Sequence, residues 1–323
     1  MPSDTFPRLL GDVGGTHARF AWQAREGEPA SAPATYLCAQ HESLLDVIRH
    51  YLAEHAHAAP RGCAIGIANP VVGDRIQMTN HHWSFSIAQL RQDLGVQRLA
   101  VINDFTAIAW SLPTLTSSEV HQVGPGTAQA GAPLAVLGPG TGLGVSGLLP
   151  AAQGRFVAIN GEGGHVSLAA DNAHEAAVLE WLRRRFGHAS AERAVSGPGL
   201  VHLYEASCEL AGEPARPLTP AEVLASARDR TDPRCGSALD LFCGFLGSAA
   251  GNLALTLGAR GGVFIGGGIA PRMIEELRCS SFRERFEGKG RFRAYLGSIP
   301  THVIDAATPA AFRGAALALD MEG

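Results

Sequence analysis

A short apolar run, two polar residues and an amphipathic stretch follow one another near the end of the first third of the chain. Apolar side chains dominate 99–102, which predicts a buried strand, and apolar residues recur at helical spacing over 105–112. Asn103 and Asp104 therefore lie where a strand ends and a helix begins, the place where an open α/β sheet binds its ligands. A carboxylate there can accept a proton from a substrate hydroxyl. The alternative is that Asp104 only caps the helix.

The same patterning predicts alternating strands and helices elsewhere. Ser86 begins a helix, with Gln89 completing a capping box and Gly95 ending it, and Thr219 with Glu222 forms a second capping box. The remaining predictions are strands flanking the glycines of 8–22, a helix over 44–52, strands at 63–68, 134–137, 145–149, 261–269 and 301–306, a helix start at 196–199, a long core helix over 239–257 and a terminal helix over 309–319. Together they define an α/β protein.

A glycine turn joins the first two predicted strands. Asp12 precedes Gly14 and Gly15, and Thr16 follows them. Glycines can adopt positive φ and leave their N–H groups open to a phosphate, although an ordinary Gly-Gly hairpin has the same pattern. The turn has no GxxxxGK[ST] lysine and joins two strands, so it is neither a P-loop nor a dinucleotide-binding fingerprint.

A second glycine turn, 138–144, repeats the strand–turn–strand design and also carries a threonine. Two such halves facing each other would put phosphate-binding turns on opposite walls of a cleft. Further along, Glu162 and His165 are separated by two glycines, and their side chains can converge on one ligand. The alternatives are a pair of metal ligands and a surface turn. The spacing matches no zinc motif, which argues against a metal site. Glu192 is either a residue on the surface of a helix or a polar side chain that a second segment contributes to the ligand site.

Composition narrows the class of protein. A chain of 323 residues fits two domains or one large α/β unit, and a net charge of −4 gives no electrostatic footprint for nucleic acid or an anionic membrane. The six cysteines form no CxxC pair, so we expect buried free thiols in a reducing compartment. We find neither a signal peptide nor a run of about 18 apolar residues, and therefore expect a cytoplasmic protein.

Seven motifs occur in the order seen in the bacterial glucokinase family, and the resemblance extends from about Leu9 to Ala306. It implies the two-domain actin-like ATPase (ribonuclease H-like, hexokinase-type) fold with an inter-domain cleft, divided as 1–113 plus 307–323 and 114–306. The motifs are Gly11-Asp-Val-Gly-Gly-Thr16, Ile102-Asn-Asp-Phe-Thr106, Gly138–Gly144, Gly161-Glu-Gly-Gly-His165, Ser190-Ala-Glu-Arg193, Ser196-Gly-Pro-Gly199 and Gly262–Ile269.

The resemblance also implies an activity and a set of site residues. The activity is ATP-dependent phosphorylation of D-glucose at the 6-hydroxyl, with Asp104 as general base and Mg²⁺ held by the ATP phosphates near Asp12 rather than by direct protein ligands. The expected partners are glucose and a second copy of the chain, with no nucleic acid or membrane. The remaining implied contacts are to sugar hydroxyls from Asn103, Glu162, His165 and Glu192, to ATP phosphates from Gly14, Gly15, Thr16, Gly140, Thr141 and Gly142, and to adenosine from Gly267 and Gly268.

The chain departs from related patterns in three ways. His17 replaces the asparagine that usually follows the first phosphate turn, which we expect to affect nucleotide affinity. The zinc-binding CxCGxxGC motif of the related repressor–kinase group is absent, as is an N-terminal helix-turn-helix, since the first strand begins near residue 8.

The alternative functions are a kinase for another hexose, such as mannose or an N-acetylated amino sugar, and a non-catalytic sugar sensor or transcriptional regulator.

Overall fold

The structure is a computed structural model that describes residues 5–79 and 81–321. Strands and helices alternate through most of this length, as the sequence predicts. The strands are β1 Arg8–Val13, β2 His17–Gln23, β3 Ser31–Leu37, β4 Gly62–Ile67, β5 Arg75–Gln77, β6 Ser84–Ser86, β7 Arg98–Asn103, β8 Val120–Gln122, β9 Leu134–Pro139, β10 Leu143–Pro150, β11 Phe156–Asn160, β12 Gly262–Ile265 and β13 Thr301–Ile304. The helices are α1 Leu44–Glu54, α2 Ile87–Leu94, α3 Asp104–Ser111, α4 Ala173–Phe186, α5 Ala191–Ala194, α6 Gly197–Leu210, α7 Pro220–Arg228, α8 Pro233–Leu257, α9 Ile274–Cys279, α10 Phe282–Glu287, α11 Arg293–Gly297 and α12 Ala310–Met321.

The chain divides into two compact units. The first comprises Met1–Leu115 and Pro309–Gly323, and the second comprises Thr116–Thr308. The C-terminal helix α12 therefore belongs to the first unit, although it is far from the rest of that unit in sequence.

The first unit is built on a five-stranded sheet in the order β3-β2-β1-β4-β7. Strands β1, β4 and β7 are parallel, while β2 and β3 are antiparallel to their neighbours. Every residue of β4 is buried, as expected for a parallel strand covered on both faces. On one face the sheet packs against α1 and α2. On the other, Leu10, Ala64 and Ala100 pack against Ala315 and Leu319 of α12.

Helices α3 and α12 approach each other at backbone distance. A Cβ added to Gly314 of α12 would lie only 1.6 Å from the carbonyl oxygen of Ala107 in α3. Only a glycine allows this approach, because any side chain at position 314 would overlap the α3 backbone. The contact fixes α3, and with it Asp104, against the C-terminal helix.

The second unit contains a six-stranded sheet in the order β11-β10-β9-β12-β13-β8. Strands β9, β12 and β13 are parallel, and β10 forms an antiparallel hairpin with β9. Helix α8 is the central helix of this unit and packs in one large apolar cluster with α4, α6, α7 and α10. Many small residues, such as Gly247 and Gly251, bring α8 close to the α10 backbone.

Helix α8 is long and apolar enough to cross a membrane by length and composition, which contradicts the expectation that no such segment exists. However, 67% of its most apolar window is buried inside the protein. That burial is typical of a core helix, whose apolar positions face other helices rather than lipid.

Several local predictions require correction. Ser86 caps α2 by accepting the N–H of Gln89, but the Gln89 side chain bonds to Asp93 instead of completing the box. The Thr219–Glu222 capping box is complete. All six cysteines are free, but Cys279 is exposed rather than buried, because it lies at the end of the short surface helix α9.

Candidate functional site

In the first unit, the predicted site residues lie at one edge of the sheet. The register aligns Val13 of β1 with Ile67 of β4 and Asn103 of β7, so the carboxyl ends of these parallel strands are level. The glycine turn follows β1, and Asp104 follows β7. With neighbouring strands about 4.8 Å apart, the ends of β1 and β7 are separated by roughly 10 Å. Asp12, Gly14, Gly15, Thr16, Asn103 and Asp104 are thus gathered at one edge, as the strand–helix pattern predicts.

Asn103, not Asp104, is the N-cap of α3. The Asn103 Oδ1 atom accepts the backbone N–H groups of Phe105 at 2.9 Å and Thr106 at 3.1 Å. Asp104 occupies the first helical position and is half-buried. Asp104 Oδ1 also accepts the Phe105 N–H, at 2.9 Å, so the alternative that Asp104 caps the helix holds in part: its carboxylate contributes to the first turn, while the N-cap position belongs to Asn103. The first turn of the helix also provides a favourable field for the Asp104 carboxylate.

Asn69, directly after β4, is a further polar residue of this edge, and it is not among the predicted site residues. It is 8% exposed, and its Oδ1 accepts both the N–H and the hydroxyl of Thr79, at 2.9 and 2.8 Å. The Asn69 carbonyl oxygen accepts the side-chain amide of Asn103 at 3.4 Å. Asn69 thereby holds the loop after β5 and orients Asn103. The available signal was its position, a polar residue directly after the buried strand β4.

The first glycine turn is held by Cys38. The Cys38 N–H donates to the Thr16 carbonyl at 2.9 Å, and the Cys38 thiol lies 3.4 Å from the Gly14 carbonyl oxygen. Burial raises the pKa of the Cys38 thiol, which keeps it protonated as a donor. Gly14 and Gly15 do not use the positive φ that glycine permits, so the turn has ordinary backbone geometry.

The carboxylate that precedes this turn is paired. Arg19 Nη1 donates to Asp12 Oδ2 at 2.9 Å, and the two residues face each other across the β1–β2 ladder. The Asp12 side chain is 22% exposed and that of Arg19 54% exposed. The pair holds the carboxylate in place while leaving it within reach of solvent. His17, at the start of β2, is exposed and accepts the Gly14 N–H through its carbonyl oxygen at 2.9 Å.

In the second unit, the turn 140–142 is tied down at both ends. The Gly140 carbonyl accepts the N–H of Gly197 at 2.8 Å, and Glu192 Oε2 accepts the N–H of Leu143 at 2.9 Å. A Cβ on Gly142 would lie 2.4 Å from the same Glu192 oxygen, so a side chain there would displace the Glu192 carboxylate. Glu192 is half-buried and directed at the turn, so it is not simply a helix-surface residue.

The segments that carry Glu162, His165 and Glu192 are joined by hydrogen bonds. The N–H of Ala191 donates to the Val166 carbonyl at 2.9 Å, and Ser167 and Ser190 form an isolated antiparallel bridge. The structure therefore brings these three predicted side chains into one region of the second unit. Glu162 and His165 are both exposed, at a short 3₁₀ turn over Gly163–His165.

The glycines between Glu162 and His165 have a packing reason. A Cβ on Gly164 would lie 2.1 Å from the Leu143 carbonyl oxygen, and one on Gly163 would lie 2.8 Å from the Val145 side chain. The motif therefore rests directly on the start of β10, next to the 140–142 turn. From the sequence, these glycines were only a spacer between two side chains expected to converge on one ligand.

The loop with Gly267 and Gly268 lies at the same sheet edge as the 140–142 turn, because β9 and β12 are parallel. Gly267 has a φ of +80°, and a Cβ added there would lie 2.5 Å from the Pro139 carbonyl oxygen. Gly268 and Gly140 differ: neither has positive φ, and a Cβ on either would meet no atom within 4 Å. Their small size is not required by the fold, which is what a site for close ligand approach would show.

Comparison with known proteins identifies this fold and these motifs. The family profile described as Glucokinase matches residues 9–322. A glucokinase from Aromatoleum aromaticum is 54% identical, over 98% of this chain and 96% of its own length. The crystal structure of glucokinase from an Antarctic psychrotroph has a TM-score of 0.86 and 38% identity, covering 97% of this chain and 98% of that chain.

A more distant solved structure, a ROK family glucokinase from Streptomyces griseus in complex with glucose and AMPPNP, has a TM-score of 0.66. It is 18% identical, over 98% of this chain and 100% of that chain, so the likeness concerns the fold. The fold is therefore the actin-like ATPase fold of hexokinase-type phosphotransferases. Within that class, the chain belongs to the glucokinase family, and it is an ATP-using sugar kinase.

Proposed function

We propose that this protein transfers the terminal phosphoryl group of ATP to the 6-hydroxyl of D-glucose, with Asp104 as the general base. The observation that carries the proposal is the position of a half-buried carboxylate at the end of β7. Asn103 occupies the N-cap of α3 and bonds the N–H groups of Phe105 and Thr106, while Asp104 Oδ1 shares the Phe105 N–H, which fixes the carboxylate on the first turn. The family assignment supports the substrate, and the ROK family glucokinase in complex with glucose and AMPPNP supports both ligands.

The Asp104 carboxylate would accept the proton of the attacking hydroxyl. Phosphoryl transfer depends mainly on positioning and on neutralising charge, so a base at a fixed place contributes about 10²–10⁴-fold. Helix α3 is fixed against α12 through Gly314, which limits movement of the carboxylate. Rigid support of this kind is needed because a small displacement of the base reduces the rate sharply.

Asn103, Glu162, His165 and Glu192 would hold the sugar. Because Asn103 Oδ1 is engaged in capping and one amide hydrogen is directed to Asn69, its other amide hydrogen would donate to a hydroxyl oxygen. The carboxylates of Glu162 and Glu192 would accept hydrogen bonds from sugar hydroxyls. A site with such polar groups can lower kcat/KM for a sugar with a missing or inverted hydroxyl by a factor of up to ~10⁴.

The glycine turns would bind the phosphates, with Gly14, Gly15 and Thr16 facing them in one unit and Gly140–Gly142 in the other. The N–H groups of Gly15, Thr16, Thr141 and Gly142 would be the donors, because those of Gly14 and Gly140 already donate to the His17 and Gly142 carbonyl oxygens. Gly267 and Gly268 would flank the adenosine. The open surroundings of Gly140 and Gly268 support these contacts, because nothing in the protein itself requires glycine there. Backbone N–H groups in turns of this type are suited to anions.

Mg²⁺ fits the donor atoms near the first turn. Asp12 offers a partly exposed carboxylate, whose oxygens can accept hydrogen bonds from the waters that Mg²⁺ keeps while the ATP phosphates ligate the ion. Asp12 would hold the hydrated ion, with Arg19 fixing the carboxylate. When bound, the ion would neutralise phosphate charge.

The direct test is a coupled assay that measures ADP formation with ATP, Mg²⁺ and a panel of hexoses. We expect glucose to be the best substrate, with mannose and N-acetylated amino sugars as comparison substrates. A higher kcat/KM for any of these would reassign the substrate. Glu162→Gln and Glu192→Gln should mainly raise the KM for glucose; wild-type behaviour of both at low glucose would contradict the sugar pocket.

A further inference from the structure

Glu192 contacts the 140–142 turn as well as belonging to the segment assigned to the sugar. Its Oε2 accepts the Leu143 N–H at 2.9 Å, immediately after the turn. The same oxygen would be 2.4 Å from a Cβ on Gly142, so the carboxylate lies against the turn backbone. A charged acceptor on a backbone N–H is a strong type of hydrogen bond.

The segment that carries Glu192 is itself fixed. Ser196 Oγ donates to the Glu192 carbonyl at 2.8 Å and accepts the Gly199 N–H at 2.9 Å, at the start of α6. One residue beyond Ser196, the Gly197 N–H holds the Gly140 carbonyl at 2.8 Å. The segment 192–197 therefore holds the turn from both ends, and Glu192 is the only side chain in this arrangement that contacts the turn directly by a hydrogen bond among the described contacts.

The sugar-binding motif meets the turn at the same residue. Gly164 packs on the Leu143 carbonyl, while Glu192 takes the Leu143 N–H. The N–H and the carbonyl oxygen of Leu143, the first residue after the turn, are thus in contact with two different segments that are assigned to the sugar. A change in either segment acts on a backbone that is close-packed and cannot deform freely.

We propose that Glu192 is a positioning residue that couples the sugar site to the phosphate turn: Oε2 holds the turn at Leu143, while Oε1 accepts from a sugar hydroxyl. Sugar binding orders the carboxylate and so the turn, which raises the affinity for nucleotide. By linkage, nucleotide raises the affinity for glucose by the same factor. This inference rests on the proposed function.

The test measures ADP binding in the absence of sugar by isothermal titration calorimetry. Glu192→Ala should weaken ADP binding about tenfold, because loss of one charge-assisted hydrogen bond leaves the turn untethered. Glu192→Gln should stay within about twofold of wild type, since its amide oxygen can still accept the Leu143 N–H. The matched control is Glu275→Ala, which removes an exposed carboxylate of α9 that pairs with Arg278 of the same helix; its ADP affinity should equal that of wild type.

A second titration measures coupling directly. Saturating glucose should tighten ADP binding in wild type, and this factor should fall to about one in Glu192→Ala. Wild-type ADP affinity and wild-type coupling in Glu192→Ala would overturn the proposal. If that variant does not fold, Gly142→Ala tests the contact from the other side: by displacing the carboxylate it should weaken glucose binding measured without nucleotide, and unchanged glucose affinity would reject the coupling. Failure of the proposed function would appear differently, as no glucose-dependent ADP formation by the wild-type protein.

Discussion

The side-chain oxygen of Asn103 accepts the backbone N–H of Phe105 at 2.9 Å, which makes Asn103 the cap of α3 and leaves Asp104 inside the first turn. Two adjacent polar residues at the end of one strand therefore do different things. Asn103 Oδ1 satisfies the N–H groups of Phe105 and Thr106, whereas Asp104 shares only the Phe105 N–H through Oδ1 and places its carboxylate at the sheet edge. Substitutions at Asn103 and at Asp104 should therefore affect stability and turnover to different degrees.

Asp104→Asn should lower kcat by about 10²–10⁴-fold, the usual contribution of a general base, while glucose affinity remains within a few-fold of wild type. Because Asn103 supplies the cap, we expect the melting temperature to change little. Steady-state kinetics with ATP and glucose, glucose titration and a thermal melt measure the three quantities. Unchanged turnover would remove Asp104 from its proposed role.

Asn103→Ala should destabilise the protein by about 1 kcal/mol through loss of the helix cap, and should also weaken glucose binding. Asn103→Ser is the matched control, because serine can still cap α3 but has no amide N–H for the sugar. We expect the serine variant to recover stability in urea denaturation without recovering glucose affinity. Recovery of both would show that Asn103 acts only through the helix.

Arg285→Ala should destabilise the second unit by about 3–5 kcal/mol at neutral pH, because it leaves the buried Glu175 carboxylate without its partner. Arg285 Nη2 lies 3.0 Å from Glu175 Oε2, and Glu175 is 5% exposed. Burial raises the pKa of Glu175, but the hydrogen bonds from Arg285 and from the Asp171 N–H outweigh it, so the folded pKa is below the usual value.

A lowered pKa fixes the sign of the pH dependence. The stabilisation from Glu175 is complete above the usual glutamate pKa of about 4.3 and is lost as the pH falls through the lower folded value. The stability difference between wild type and Arg285→Ala should therefore be largest near pH 7 and shrink below about pH 4. Urea melts over this range measure it, and a difference that grows at acid pH would contradict the assignment.

Gly314→Ala should destabilise the first unit, by about 1–3 kcal/mol or more, because the added methyl overlaps the Ala107 carbonyl and forces α3 and α12 apart. Since α3 carries Asp104, kcat should fall as well. Gly236→Ala is the matched control: it lies in helix α8, and its Cβ would meet no atom within 4 Å. That variant should be neutral or stabilised by up to ~1 kcal/mol. Equal effects of the two substitutions would show that the close helix contact is unimportant.

Cys279 should be the one thiol of the native protein that reacts quickly with an aromatic disulfide reagent, since it is exposed and the other five cysteines are buried. Burial also raises the pKa of Cys63 and of Cys243 to about 12, which suppresses the reactive thiolate. One rapid equivalent per chain is expected, and Cys279→Ser should abolish it. A rapid phase that persists in this variant would show that a buried cysteine becomes accessible.

Most secondary structure could be predicted from the sequence, because its signals are local. The strand over 98–103 and the helix after it, the cap at Ser196 and the capping box at Thr219 all depend on residues a few positions apart. Their periodicity and capping chemistry are complete within each segment. The motif order likewise sufficed to indicate the family.

The roles within each motif were decided by tertiary contacts. The sequence could not determine whether Asn103 or Asp104 occupies the N-cap of α3, because both side chains reach the Phe105 N–H and the pairing of β7 with β4 sets where the strand ends. Nor could it show that the Glu192 carboxylate bonds Leu143 and fills the space beside Gly142, while the space beside Gly140 stays open, because Glu192 and Leu143 are 49 residues apart. Residue type and spacing are properties of one segment, whereas the atom that each side chain meets is fixed only when distant segments pack together.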